Sequence, residues 1–224
     1  MIILSENWRS TYPDAALGIL AMRKVSNPQS HEALARHKEA LERGLRTRYA
    51  GYDRERFRTH PVLASYHAYY RRFKKTYHVQ LQLESIVLKG KALPQAAALV
   101  EAMFMAELKN LMLTAGHDLD ELQLPVTLDV AAGHERYVRL NGQEQELKAN
   151  DMMISDSQGI LSSIIYGPDQ RTKIMPSTTR VLFTVYGTPG INRPDLRKHL
   201  ETIQENVIVV SPEAEVELLE VYRA

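Results

Sequence analysis

The segment Tyr166-Gly167-Pro168-Asp169-Gln170-Arg171-Thr172 gathers several groups able to do chemistry into seven residues. Gly167 carries no Cβ, so a ligand can approach the backbone closely beside Tyr166. Asp169 can hold an ammonium or a cationic side chain, or orient a water. Arg171 can meet a phosphate, and Thr172 can donate to a carbonyl oxygen. A turn built on a structural Pro-Asp pair, with a solvated arginine, is the alternative reading of the same residues. His117-Asp118 lies where helical and strand patterns meet. A histidine ordinarily titrates near neutral pH, so His117 is a candidate for acid–base work, although a lone histidine in a turn also caps or packs. Asp118 needs no more than a turn to explain it. Thr178 and Thr184 bracket a strand, where threonine is at home for its β propensity alone.

Other chemistries are excluded. Cysteine is absent from the 224 residues, which removes disulfides, thiolate nucleophiles and cysteine metal sites and fits the cytoplasm. There is no Gly-x-Ser-x-Gly nucleophile turn and no His-Glu-x-x-His pair among the eight histidines. A metal site is therefore unsupported, and no cofactor is expected. No apolar run approaches the roughly 18 residues of a membrane span. The opening Met1-Ile2-Ile3-Leu4-Ser5-Glu6 is too short and too soon acidic to read as a signal peptide. A membrane partner is not expected.

The net charge of +1 conceals an asymmetry. Residues 1–91 hold 17 Lys and Arg against 8 Asp and Glu, and residues 92–224 hold 11 against 19. A basic half suits a polyanion bound at one end, and a merely dipolar surface is the plain alternative. The candidate contacts are Arg71, Arg72, Lys74, Lys75, Lys89 and Lys91. The first four close a tyrosine-rich stretch that includes Tyr69, Tyr70 and Tyr77. Cations neutralise phosphates and aromatic rings stack on unpaired bases. Helix-dipole balance, with the tyrosines in the core, accounts for part of the same pattern.

The elements that must position these groups follow from periodicity. Ser5 to Ser30, interrupted by Pro13 and Pro28, suggests a strand and a turn. Leu34, Leu41 and Leu45 mark a helix over 32–45, and Leu63, Tyr66, Tyr70 and Phe73 mark a second opened by His60-Pro61. A short third helix is expected over Leu81–Leu88, ended by Gly90, and a fourth from Pro94 to about Asn110. From Asp118 onward the pattern has period two. Strands are expected over 124–130, 136–140, 152–154, 160–166, 181–186, 207–210 and 216–222. Asn141-Gly142 predicts a two-residue hairpin turn with positive φ at both positions. One helix, 196–205, falls between the last strands. Helices first and strands second predict an α+β fold, with N-terminal helices packed on a mostly antiparallel sheet.

Several motifs in order resemble the B3/B4 domain, the editing module in the beta subunit of bacterial phenylalanyl-tRNA synthetase. They are Leu88-Lys89-Gly90-Lys91-Ala92-Leu93-Pro94, Leu99-Val100-Glu101, Gly116-His117-Asp118-Leu119-Asp120, Gly133, Glu135 and Leu140-Asn141-Gly142, followed by Asp151, Asp156 and Thr178. The resemblance runs from about Tyr66 to Ile191. It implies a B3/B4-like domain over 61–224, with residues 1–60 an N-terminal extension packed on the same domain. It also implies hydrolysis of the ester that joins a wrong amino acid to tRNA, with tRNA rather than DNA as the partner. Such an ester is already activated, so the site has mainly to position water and stabilise an oxyanion.

The departures from the synthetase pattern fall in the amino-acid pocket. Ala115 stands where the editing site has a histidine, Met103-Phe104 where it has Thr-Asn, and Thr184 where it has a glutamate. Its Gly-rich turn is replaced by Ile165-Tyr166-Gly167-Pro168-Asp169. The resemblance therefore implies a retained scaffold around a rebuilt pocket, with Met103, Glu107, Asp118 and Thr184 beside the Tyr166–Thr172 turn. Stand-alone members of the family resemble the chain more closely, and one branch removes canavanine from arginine tRNA. Canavanine's guanidine-like head calls for acid, for which Asp169, Glu101 and Glu107 are the candidates. Two other readings stay open: an RNA-binding module that hydrolyses nothing, and an amino-acid-binding protein that kept the fold without the RNA.

Overall fold

The structure is a computed structural model and describes residues 2–224. In chain order, β1 (Ile2–Leu4), α1 (Glu6–Thr11) and β2 (Ala16–Arg23) are followed by five helices. These are α2 (Glu32–Arg48), α3 (Arg54–Arg58), α4 (Pro61–Arg72), α5 (His78–Val87) and α6 (Ala98–Asn110). Then come β3 (Thr114–Asp118), β4 (Val126–Val130), β5 (Arg136–Val138), β6 (Glu144–Glu146), β7 (Met152–Asp156), β8 (Gly159–Ser163), β9 (Gly167–Pro168) and β10 (Arg180–Gly187). The chain ends with α7 (Arg193–Val210) and β11 (Glu215–Arg223). No helix among the described residues is long and apolar enough to cross a membrane.

Two sheets share the core. One has five strands in the order β1-β4-β7-β8-β9, the other four in the order β11-β2-β10-β3, and β5 and β6 form a separate ribbon. All the pairings are antiparallel except that of β1 with β4. β2 is almost continuously apolar because it is an inner strand with both faces covered. Residues 1–60 thus supply a strand to each sheet as well as α1, α2 and α3.

Strand pairing sorts side chains onto two faces. On one face of the four-stranded sheet lie Gly18, Val185 and Phe183, and there α7 packs. A Cβ on Gly18 would meet Leu200 at 3.2 Å, and one on Gly187 would meet Leu196 at 2.7 Å, so these glycines let α7 come close. On the other face lie Leu182, Thr184 and Tyr186. Tyr186 reaches the five-stranded sheet, where its hydroxyl lies 2.7 Å from the Ser162 hydroxyl. The tyrosines of α4 tie the helices to both sheets. Tyr66 donates to the Tyr186 carbonyl at 2.6 Å, Tyr70 to the Ile164 carbonyl at 2.9 Å and Tyr69 to Asp151 at 2.8 Å.

Several elements differ from the sequence-based expectation. Val207–Val210 is the last turn of α7 rather than a strand: Val207 and Val210 bury one helical face, and packing overrides the β propensity of valine. His117 and Asp118 end strand β3, which the sequence hides because Thr-Ala-Gly-His-Asp has no alternation. The Pro94 stretch is extended, and α6 starts at Ala98. The Asn141-Gly142 turn is longer than two residues: Gly142 N–H donates to the Arg139 carbonyl at 2.8 Å, and Gly142 takes positive φ (79°) while Asn141 does not.

Candidate functional site

β3 is the edge strand of its sheet, and the loop after β9 runs alongside it, with Asp118 N–H donating to the Thr172 carbonyl at 2.8 Å. This contact unites the three candidate catalytic residues. His117 Nδ1 lies 2.8 Å from Thr172 Oγ1, and Thr172 Oγ1 in turn donates to Asp169 Oδ1. All three are buried. Thr172 has one hydroxyl proton. When Asp169 takes it, His117 Nδ1 must carry a proton of its own and donate it to Thr172. The other ring nitrogen, Nε2, is then a bare acceptor, and it has no partner. Burial, with the nearby Arg171 guanidinium, pushes the His117 pKa down to about 4, so the imidazole is neutral at physiological pH. Burial raises the Asp169 pKa, against the opposing effect of its bonds from Thr172 and the charge of Arg171.

The rest of the turn forms the rim. Gly167 has positive φ (78°), and a Cβ there would meet nothing within 4 Å, so the backbone faces open space. The Tyr137 hydroxyl holds its carbonyl at 2.7 Å. Tyr166 is half-buried, its N–H bonded to Ser163 Oγ at 3.2 Å. Under the rim lies Asp151, which accepts from Tyr69 and, at 3.3 Å, from Ile165 N–H. Burial pushes its pKa up to about 7, against the lowering effect of hydrogen bonds from Tyr69, Ser163 and Ile165 N–H.

Arg171 is not free to take a phosphate. Its guanidinium grips both oxygens of Asp156 at 2.9 Å and the Glu121 carbonyl at 2.8 Å. Burial disfavours the Asp156 charge, but bonds from Gln123 N–H, Arg171 and Gln158 N–H hold its carboxyl below the usual range. Asp118 is a structural cap: it accepts from Thr178 Oγ1 at 2.5 Å and from Asp120 N–H at 3.2 Å.

The sheet separates the remaining candidates. Thr184 pairs with Ala115 across β10 and β3 and shares the inter-sheet face with His117. Met103 lies on the opposite, helical face, where its sulfur would be 3.4 Å from a Cβ on Gly116. Glu107 is also on the helical side. One of its carboxylate oxygens accepts from Thr114 N–H at 2.8 Å, the other has no partner, and burial pushes its pKa up to about 8. Glu101 is buried and paired with Lys38 at 2.5 Å. Of the three acids considered for a cationic head, only Asp169 borders the Tyr166–Thr172 turn.

The six candidate cations are exposed, and none forms an ion pair among the described residues. They fall into two groups. Arg71, Arg72, Lys74 and Lys75 end α4, while Lys89 and Lys91 follow α5, whose ten residues span roughly 15 Å. The first group adjoins the rim: the Lys75 ammonium lies 5.8 Å from the Tyr166 ring centroid. Lys148, which the sequence reading missed, joins this group. With Arg72, Lys74 and Asn150 it lines a cavity of about 290 Å³, and its ammonium donates to the Phe73 carbonyl at 3.1 Å. No local pattern marks it, since the contact spans 75 positions. Tyr69, Tyr70 and Tyr77 are core residues rather than base-stacking platforms. Among the described residues no group of three His, Asp or Glu side chains is arranged to hold a metal ion.

Helices on one face of a mostly antiparallel sheet, a second sheet over the other, and a buried His–Thr–Asp chain between the two define an α+β domain. The model of the B3/4 domain family matches residues 65–205, and the chain belongs to that family. It is similar to the phenylalanine–tRNA ligase beta subunit of Mycoplasma genitalium, with 29% identity over 69 residues, 31% of this chain and 9% of that protein. In fold it is similar to an N-terminal fragment of the phenylalanyl-tRNA synthetase beta subunit from Pyrococcus horikoshii. That match has a TM-score of 0.50 and 10% identity, over 96% of this chain and 50% of the fragment. The chain thus spans half or less of the length of these relatives.

Proposed function

We propose that the protein is a trans-editing deacylase that hydrolyses the ester of a mischarged tRNA in the cytoplasm, with canavanyl-tRNA(Arg) as the first candidate substrate. The observation that carries this reading is the junction of Lys75 with Tyr166, where the basic end of α4 meets the rim of the candidate pocket. Cations there can hold acceptor-end phosphates while the terminal ester reaches Gly167. Behind that rim stands an imidazole whose Nε2 is a bare acceptor, suited to orienting the attacking water. Arg171 is assigned to bracing Asp156, and phosphate contacts to Arg72, Lys74, Lys75 and Lys148. Membership of the B3/4 family supports the choice of an aminoacyl-tRNA ester, by analogy with the editing module that the chain resembles.

A second reading, a tRNA-binding module without hydrolysis, is favoured by the full burial of His117 and Thr172, which a substrate could reach only if the loop moved. One paired experiment separates the two. Replacing Arg72 and Lys75 together by glutamine should weaken tRNA binding and reduce the dependence of log affinity on log salt by about 2. In the hydrolytic reading it should also lower deacylation at subsaturating substrate. If the wild type binds tRNA but deacylates nothing, and the double variant loses that binding, the binding module is favoured. Unchanged binding would remove this face from the tRNA interface.

A further inference from the structure

A second cavity, of about 220 Å³, lies among the helices, on the far side of the four-stranded sheet from the inter-sheet His117 face. It is bounded by the end of α2, the start of α4, the end of α6 and the start of α7. Its charged and polar lining includes Arg48, Tyr49, His60, Lys109, Asp195 and Lys198, beside Asn110. Arg48 and Lys198 form no ion pair among the described residues, and Lys109 has only a distant one, 3.8 Å from Glu205. Asp195, the acid of the lining, is engaged by Asn192 Nδ2 at 2.7 Å.

Two buried polar atoms of the lining have no hydrogen-bond partner, the Tyr49 hydroxyl and His60 Nδ1. Tyr49 itself is only 2% exposed. A buried phenol left without a partner costs stability, which is why native proteins rarely keep one unless something else binds there. The Arg48 guanidinium lies 5.2 Å from the Tyr49 ring centroid, which brings positive charge to the same place. α4 also starts here, with Pro61 in its first turn and no side-chain cap from His60. Its next free N–H groups are near Val62, another lining residue, and the start of a helix favours negative charge.

We infer that this cavity binds a phosphate-bearing anion, with Tyr49 Oη as the buried donor and Arg48, Lys109 and Lys198 as the neutralising charges. Three cations against one engaged carboxylate leave a net positive lining. A hydroxyl, an ammonium and a guanidinium meeting in a space of this size suit a compact oxyanion better than an apolar ligand. The site does not depend on the hydrolytic reading. The phosphate can come free from solution or from a nucleic-acid backbone, and the test distinguishes these sources.

The probe is inorganic phosphate, titrated calorimetrically into the full chain with chloride adjusted to hold ionic strength constant. Saturable binding at one site is expected. Tyr49→Phe removes a hydroxyl that has no partner, so folding should survive while phosphate affinity falls about tenfold or more. Lys198→Gln should weaken binding comparably, and Arg36→Gln, on the exposed face of α2, should change nothing. Absence of saturable binding to the wild type, or wild-type affinity in both Tyr49→Phe and Lys198→Gln, would overturn the proposal. If Lys198→Gln also weakens tRNA binding, and phosphate competes with tRNA, the anion is a backbone phosphate. If tRNA binding is unaffected while phosphate binding is lost, it is a free phosphate.

Discussion

Thr172 has a single proton, and the group that receives it sets the tautomer of His117. With Asp169 ionised the proton goes to the carboxylate, and His117 Nε2 is left as an acceptor. Asp169→Asn weakens that acceptor and frees the threonine proton to go to His117 Nδ1, which turns Nε2 from acceptor to donor. Deacylation should then fall by about 100-fold or more while the melting temperature changes little. An unchanged rate would remove Asp169 from the site. The Tyr166–Thr172 turn was legible in the sequence because its glycine, acid, arginine and threonine are neighbours along the chain. The engagement of Arg171 was not, since Asp156 lies 15 residues back and meets it only through sheet geometry. Tyr49 gave no signal, because an unpartnered hydroxyl is a property of the folded surroundings alone.

At the scale of elements, the approach of α7 to the four-stranded sheet rests on glycines without side chains. Gly187→Ala would set a methyl 2.7 Å from Leu196 Cδ1 and 3.2 Å from the Ala16 carbonyl oxygen. Overpacking of this kind should cost about 1–3 kcal/mol, measured as a shift in the denaturant midpoint with an unchanged slope. A stability equal to wild type would mean that α7 moves away without penalty. The helical stripes of α2 and α4 could be read from spacing, because each has one wet face and one dry face. β3 could not: it is buried throughout, its residues do not alternate, and only Thr114 is β-branched. Val207–Val210 misled in the opposite direction, since a run of branched residues resembles a strand until Val207 and Val210 are seen to share one helical face.

For the molecule as a whole, buried titratable groups make stability depend on pH in opposite senses. Burial lowers His117 to about 4 and His199 to about 3 from an ordinary 6.5. The unfolded chain therefore binds more protons at these sites, and their contribution to stability falls as pH drops below about 6.5. Burial raises Asp151 from 3.8 to about 7 and Glu107 from 4.5 to about 8. There the folded chain holds the extra protons, and stability falls as pH rises towards those values. Between pH 7 and about 8 the Glu107 effect dominates, so the melting temperature should decline across this interval and Glu107→Gln should flatten the decline. An equally steep decline in that variant would show that Glu107 is already ionised at pH 7. The charge asymmetry of the chain was legible in its composition, whereas the division of the cations between the ends of α4 and α5 needed the fold. The central claim is hydrolysis of a mischarged tRNA, and its most direct test offers purified protein a panel of canavanyl-, arginyl-, tyrosyl- and alanyl-tRNA. Rapid loss of canavanyl-tRNA with arginyl-tRNA spared is the predicted result, and survival of every species in the presence of protein that binds tRNA would contradict it.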